Sequence, residues 1–197
     1  VPAVGTGVFD GVPAYAHFFY YNDYIDNYKL ENGLWNGYHA TCNTANDMAV
    51  FETDDGKTTL TFKYNGSLTI TGSAGGSAIS DYTSFENVPW SGYAGYVTSI
   101  TFENINYVGD HAFENFTKLQ RLVLGSSVTE IGDYAFKGCT NVTSVSVSAL
   151  TIGEEAFSGC TILNTVIINN ATYLGVRAFA DNPALNTVTI NSPAGST

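Results

Sequence analysis

The sequence predicts a mainly β protein with short helical turns, in which successive repeats stack into a solenoid. A short phrase ending in Ala-Phe occurs four times at nearly even steps, and alternating apolar and polar residues follow each copy. Such alternation is typical of strands with one buried face. The phrases are Val108–Phe113, Ile131–Phe136, Ile152–Phe157 and Leu174–Phe179; the runs after them are Leu119–Leu124, Val142–Val147, Leu163–Ile168 and Leu185–Ile190, and Val97–Phe102 precedes the first phrase.

Each position of the repeat has a predicted task. Gly132 allows a tight bend after Ile131, and Asp133 caps the N–H groups of a short helical turn. Ala135 and Phe136 point inward. Equivalent positions stack from unit to unit, so the repeats share one core. The predicted core columns are Phe113, Phe136, Phe157 and Phe179, and beside them Phe116, Cys139, Cys160 and Asn182.

Cysteine usage leaves two alternatives open. Cys139 and Cys160 hold the same place in adjacent units, about 4.8 Å apart in a stacked solenoid, which a disulfide could span. Parallel stacked side chains are poorly aimed for that bond, so buried free thiols are favoured. Cys42 is then unpaired or bonds to another molecule.

The units Ile131–Val147 and Ile152–Ile168 carry the pattern Ile-Gly-x-x-Ala-Phe-x-Gly-Cys-Thr. This pattern resembles the BspA-like leucine-rich repeat, and the period and single strand per unit agree with leucine-rich repeats in general. The first unit departs from it at Asn115-Phe116 and the last at Asp181-Asn182-Pro183. The resemblance implies an extracellular or surface-attached adhesion or interaction module, and it implies no catalytic residues.

Two regions are predicted: an aromatic, β-rich cap region at 1–95 and the repeat solenoid at 96–197. Aromatic residues are dense between 15 and 38. They form either a platform for sugar rings or, as favoured here, the core of the cap. Residues 58–71 predict a hairpin that turns at Asn65-Gly66. Tyr82, Phe85, Trp90, Tyr93 and Tyr96 are expected to close the apolar end of the solenoid.

Composition excludes several function classes. The net charge of −11 disfavours nucleic acid and anionic lipid as partners. No apolar run reaches the roughly 18 residues of a membrane span. No catalytic constellation is recognisable, and we expect no enzyme activity and no cofactor. His17, His39 and His111 lack metal-ligand spacing, the acidic turn 52–56 fits no calcium loop, and an acidic column of Asp110, Asp133 and Glu154 is interpreted as helix caps.

The outward side of the stacked strands is the candidate binding face. It is nearly uncharged and rich in hydroxyl groups, although such residues are also simply good strand formers. The predicted face comprises Ser99, Thr101, Arg121, Ser144, Ser146, Thr165, Thr187 and Thr189. Four sequons permit N-glycosylation without arguing for it, at Asn65, Asn115, Asn141 and Asn170.

The sequence therefore predicts a non-enzymatic, extracellular or cell-surface binding module whose partner is a protein or a glycan. An alternative is a structural subunit that assembles head-to-tail with its own copies. That alternative rests on the expectation that the solenoid has no polar cap after Ile190. Ice binding by the Thr- and Ser-rich face is a more distant alternative, because Arg121, Val123 and Ile167 interrupt the hydroxyl grid.

Overall fold

The computed structural model describes residues 18–21, 34–35, 38–43, 47–53 and 56–191, with side chains at 49–53 and 56–191. Most of the aromatic segment 15–38, the Cys42 thiol, and Asp54 and Asp55 of the acidic turn lie outside the described residues or their described side chains. So do His17 and the side chain of His39. The predictions that concern them stay predictions.

The described part of the chain is a mainly β solenoid, as predicted, and its helical turns are short 3-10 turns at Phe85–Asn87 and Ser91–Tyr93. Its strands in chain order are β1 Phe18–Tyr21, β2 Leu34–Trp35, β3 Tyr38–Asn43, β4 Asp47–Glu52, β5 Thr58–Lys63, β6 Ser67–Gly72, β7 Ser77–Ala78, β8 Ser99–Glu103, β9 Ile105–Val108, β10 Arg121–Val123, β11 Glu130–Ile131, β12 Ser144–Val147, β13 Thr151–Ile152, β14 Thr165–Asn169, β15 Tyr173–Leu174 and β16 Thr187–Asn191.

Four sheets contain these strands. A mixed sheet of five strands has the order β10-β8-β6-β5-β4, and a second sheet of five short parallel strands has the order β15-β13-β11-β9-β7. A three-stranded parallel sheet has the order β12-β14-β16. The remaining sheet, β1-β3-β2, lies in the N-terminal part.

The predicted hairpin at 58–71 is present as the antiparallel pair β5–β6, and Gly66 closes its turn by donating its N–H to the Lys63 carbonyl. Strand β6 then pairs in parallel with β8, and β7 pairs with β9. Backbone pairing thus joins strands on both sides of residue 95, where we placed the boundary between cap region and solenoid. The division into these two regions stays a prediction.

The core is a column of parallel aromatic rings. Phe113, Phe136 and Phe157 are at most 1% exposed, and Phe179 is half-buried against the same core. Consecutive ring centroids are 5.6, 5.2 and 5.3 Å apart. Trp90 extends the column by stacking on Phe113 at 6.1 Å and donating its indole N–H to the Ala112 carbonyl. The prediction that Tyr96 helps to close this end was wrong, because its side chain is 63% exposed.

Two predicted tasks within the repeat need correction. Gly132 does not have a positive φ, and its lack of a side chain serves a close approach between coils: a Cβ there would lie 2.4 Å from the Asp110 Oδ1 atom. Asp133 does not cap a helical turn of its own coil. Its carboxylate accepts the N–H of Glu154 in the next coil, so it joins coils rather than ending a turn.

Candidate binding surface

The acidic column along the solenoid is a ladder of side chain to backbone hydrogen bonds. Asp110 Oδ1 accepts the N–H of Asp133 at 2.6 Å, and Asp133 Oδ1 accepts the N–H of Glu154 at 2.6 Å. Asp81, which the sequence did not indicate, begins the ladder by accepting the N–H of Asp110 at 3.1 Å. Burial raises the pKa of the Asp110 carboxyl above its ordinary value, and the Asp133 N–H only partly offsets this. The column therefore has a structural task.

Metal binding finds no support in the described residues, because no group of three His, Cys, Asp or Glu side chains there could hold an ion. The interpretation of Asp110, Asp133 and Glu154 as helix caps was wrong in its geometry. The carboxylates of Asp110 and Asp133 satisfy backbone donors of the following coil, whereas the sequence pattern placed those donors within the same coil.

A second column at the same bend is half-buried in three of its four members and exposed in the last. His111, Tyr134, Glu155 and Arg177 occupy equivalent positions, and all four have a left-handed backbone with φ between 48° and 59°. The rings of His111 and Tyr134 stack at 4.8 Å. Such φ values are uncommon for residues other than glycine, and their recurrence at one repeat position shows that all four bends have the same backbone conformation.

Ion pairs connect Glu155 of this second column with Arg177 of the same column and with Lys137. Glu155 receives hydrogen bonds from Lys137 Nζ at 2.6 Å and from Arg177 Nε at 3.2 Å. The Lys137 ammonium lowers the pKa of the Glu155 carboxyl, and Glu155 in turn raises the pKa of Lys137. His111 Nδ1 lies 2.5 Å from Glu114 Oε2. Because most of these charges are paired within the chain, this column is a weak candidate for recognising a charged partner.

The predicted binding face is divided between two sheets. Ser99, Thr101 and Arg121 lie on β8 and β10 of the five-stranded sheet. The other five residues lie on the three-stranded sheet, where β12 pairs with β14 and β14 with β16; they are Ser144, Ser146, Thr165, Thr187 and Thr189. All eight side chains are exposed or half-buried. The structure thus brings them together in two groups.

The first group is larger than the sequence indicated. Thr69 of β6 pairs with Thr101 on one side and with Thr61 of β5 on the other. Val50 and Val123 end this row. The adjacent row contains Glu52, Thr59, Thr71 and Glu103. We call the outward side of these strands the hydroxyl face; its residues are Val50, Glu52, Thr59, Thr61, Lys63, Ser67, Thr69, Thr71, Ser99, Thr101, Glu103, Arg121 and Val123.

Charge is confined to the borders of the hydroxyl face. Glu52 and Glu103 lie in its acidic row, whereas Lys63 and Arg121 lie at the ends of the strands nearest the hairpin turn. Neighbouring strands are about 4.8 Å apart, and alternate residues on one strand are roughly 6.7 Å apart. The centre is therefore a grid of hydroxyl and methyl groups between two oppositely charged borders.

Sequence reasoning missed Thr59, Thr61, Thr69 and Thr71 because it assigned the hairpin to the cap. The alternation of apolar and polar residues that predicted the hairpin also indicated which of its residues face outward. It did not indicate that β6 pairs with β8, and this pairing places the hairpin and the repeat strands on one surface.

The buried thiols are free in the structure. Cys139 Sγ donates to the Phe113 carbonyl at 3.3 Å, and Cys160 Sγ donates to the Phe136 carbonyl at 3.4 Å. In the last unit Asn182 takes the same place and donates its side-chain N–H to the Phe157 carbonyl at 3.0 Å. Burial raises the pKa of Cys139, and it raises the pKa of Cys160 to about 12.

The four sequons differ in their surroundings. Asn65, Asn115 and Asn170 are exposed. Asn65 accepts hydrogen bonds from the N–H and the hydroxyl of Ser67 through its side-chain oxygen. The half-buried Asn141 donates its amide to the Thr117 carbonyl. Glycosylation at these positions stays a prediction.

Comparison with known proteins gives a family match over the repeats. Residues 92–196 match the BspA type leucine rich repeat region, with 6 copies. No curated protein sequence matches the chain significantly. Within the described residues, no helix has the length and apolar character that crossing a bilayer requires.

Solved structures agree in fold. A leucine-rich repeat protein from Eubacterium ventriosum is 19% identical with a TM-score of 0.53, over 71% of this chain and 40% of that one. A leucine rich cell surface protein from Faecalibacterium prausnitzii is 24% identical with a TM-score of 0.51, over 75% of this chain and 44% of that one. The chain thus spans less than half the length of these two proteins.

Proposed function

The chain belongs to the family of BspA type leucine rich repeat proteins, and from that premise we propose that it is a non-enzymatic binding module that acts outside the cell. Leucine-rich repeats are protein-interaction scaffolds in general, because solenoids present extended surfaces for binding. The similarity to a protein described as a leucine rich cell surface protein supports placement at the cell exterior.

The hydroxyl face is the surface we assign to the partner, a protein or a glycan. The observation that carries this assignment is the row Thr61-Thr69-Thr101, which is continuous across three paired strands. Hydroxyl groups donate and accept hydrogen bonds, and their methyl groups add apolar contact. A partner with polar groups at regular spacing and charges at its margins fits this surface.

Binding to immobilised host glycans, mucin, collagen and fibronectin tests the proposal. We expect wild-type protein to bind at least one of these probes and Thr69→Arg to weaken that binding at least tenfold, because a long cationic side chain then stands in the centre of the row. Ala74→Arg adds the same charge in an exposed loop and should bind as wild type does. Equal binding by wild type and Thr69→Arg, or no binding to any probe, contradicts the proposal.

Self-assembly is the second candidate. In the last described coil Val176, Val188 and Ile190 are 66%, 52% and 60% exposed, whereas Val166 and Ile168, the equivalents of the latter two in the preceding coil, are at most 1% exposed. A copy that covered these side chains would bury them as a further coil does. Size-exclusion chromatography with light scattering tests this candidate, and a monomer at high protein concentration speaks against it. Ice binding gains no such support, because Arg121 and Val123 still border the hydroxyl grid.

A further inference from the structure

The stack of parallel strands on the side that carries β8, β10, β12, β14 and β16 is interrupted once. Strand β10 pairs with β8, and β12 pairs with β14, but in the described part of the chain β10 and β12 do not pair with each other. On the other side of the solenoid β9, β11 and β13 pair without interruption. The interruption is therefore a local split in one wall of a continuous solenoid.

Unequal connections coincide with the split. The connection from Leu122 to its bend phenylalanine, Phe136, is two residues longer than the one from Val145 to Phe157. The units before and after have connections of intermediate length. The bends stack in register, because the N–H of Phe136 donates to the Ala156 carbonyl. The difference in length therefore lies between the strand and the next bend, at the place where β10 and β12 separate.

Burial agrees with an opening at this place. Leu122 is half-buried, although its equivalents Ile100, Val145 and Val166 are at most 2% exposed. The side chain of Leu122 is thus partly uncovered where the wall is split, while the core on either side is closed.

Main-chain groups line both edges of the split. Arg121 donates its N–H to the Thr98 carbonyl, so the main-chain groups of the next residue, Leu122, are directed toward β12. Thr165 donates its N–H to the Thr143 carbonyl, so those of Ser144 and Ser146 are directed toward β10. The split therefore presents strand edges with N–H and C=O groups at strand spacing.

We propose that the split is a docking site for an extended peptide of a protein partner, which adds in parallel to the edge of β12. A strand is the occupant because its main chain supplies hydrogen-bond partners for the main-chain N–H and C=O groups of Ser144 and Ser146. The side chains of one face of that strand would lie beside Leu122, so the peptide is apolar at alternate residues. This site is distinct from the hydroxyl face and goes beyond the function proposed above.

Proline substitution tests the edge itself. Ser146→Pro removes an N–H that points into the split and should leave the melting temperature nearly unchanged, since proline is tolerated on open edges. Val145→Pro removes an N–H that faces β14 and should lower the melting temperature by about 10 °C. If Ser146→Pro lowers it as much as Val145→Pro does, the edge is paired and the proposal is wrong.

A peptide with the sequence of residues 163–169, Leu-Asn-Thr-Val-Ile-Ile-Asn, is the probe because that segment contains all of β14, a strand whose side chains already suit parallel pairing with β12 at its opposite edge. Fluorescence polarisation should show binding to wild type with a Kd below about 1 mM, and Ser146→Pro should weaken it at least tenfold. The same peptide with proline in place of valine should not bind. No binding to wild type at that concentration overturns the proposal.

Closing the split gives an independent readout. Deletion of Ser126 and Ser127 makes the two connections equal, and should slow amide exchange at Leu122, Ser144 and Ser146 while abolishing peptide binding. The double replacement Ser126→Ala and Ser127→Ala keeps the length and should change neither. Thr69→Arg should leave peptide binding intact, and Ser146→Pro should leave binding through the hydroxyl face intact, so failure of one proposal does not imply failure of the other.

Discussion

The Asp110 carboxylate accepts the backbone N–H of Asp133 in the next coil at 2.6 Å. Asp133 repeats the contact with Glu154. Each carboxylate thus satisfies a donor in the following coil, and the ladder couples neighbouring repeats at the bend. In a solenoid stability depends on such contacts between neighbours, so this ladder joins the sequence motif to the stability of the whole stack.

Replacing Asp133 with alanine should lower the free energy of unfolding by about 2 kcal/mol, because a backbone N–H loses a charged acceptor. Asp133→Asn keeps an acceptor oxygen and should lower it by less. Urea denaturation measures both, and Glu130→Ala on the exposed end of β11 is the control. Equal stability of Asp133→Ala and that control would show that the ladder contributes nothing.

Gly132→Ala should be strongly destabilising, because its new Cβ would lie 2.4 Å from Asp110 Oδ1 and 2.7 Å from the Asp110 backbone nitrogen. Gly95→Ala is the matched control, since nothing lies within 4 Å of the Cβ it would add. Thermal melting of the two variants checks this. A Gly132→Ala variant as stable as Gly95→Ala would rule out close approach as the reason for glycine.

Phe136→Ala should lower the free energy of unfolding by about 3–5 kcal/mol, since it removes a ring stacked between Phe113 and Phe157. Phe179→Ala should cost less, because Phe179 is only half-buried and stacks on one described ring. Denaturation curves rank the two variants. The reverse order would contradict the deeper burial of Phe136 in the column.

Stability should fall as the pH rises above the ordinary thiol pKa of about 8.5 and continue to fall toward the raised pKa of Cys160, about 12. The unfolded chain releases thiol protons in this window while the folded chain retains them, so unfolding becomes easier. Replacing both Cys139 and Cys160 with alanine should make the decline shallower. An unchanged decline would assign it to other groups, such as Tyr107 or Lys137, whose pKa values are also raised.

The same burial predicts slow thiol chemistry. Native protein treated with iodoacetamide should remain unmodified at Cys139 and Cys160, because buried thiols with raised pKa values form little thiolate. Denatured protein should be modified at both, which mass spectrometry of tryptic peptides can show. Rapid native modification at either position would contradict the packing around the Phe113 and Phe136 carbonyls.

Much of the fold was predictable because a structural repeat is visible as a repeated pattern in the amino-acid sequence. The spacing of Phe113, Phe136 and Phe157 predicts one stacked column, and the Asn65-Gly66 turn predicts a hairpin. The tasks of Gly132 and Asp133 were not predictable, since both depend on what the adjacent coil places beside them. The extent of the candidate face was missed for the same reason: Thr69 and Thr101 are distant in sequence and are neighbours only through β6–β8 pairing.

The order of amino acids alone established the repeat period, the inward phenylalanines and the family, because periodicity and side-chain type are local properties that stacking merely reproduces. The folded arrangement was needed to show how neighbouring coils engage: the carboxylate ladder, the merging of hairpin and solenoid into one hydroxyl face, and the split between β10 and β12. The physical reason is that a hydrogen bond between coils depends on which residues of the two coils lie side by side. That register is set by the folded path of the chain, and residues distant in sequence become neighbours only through it.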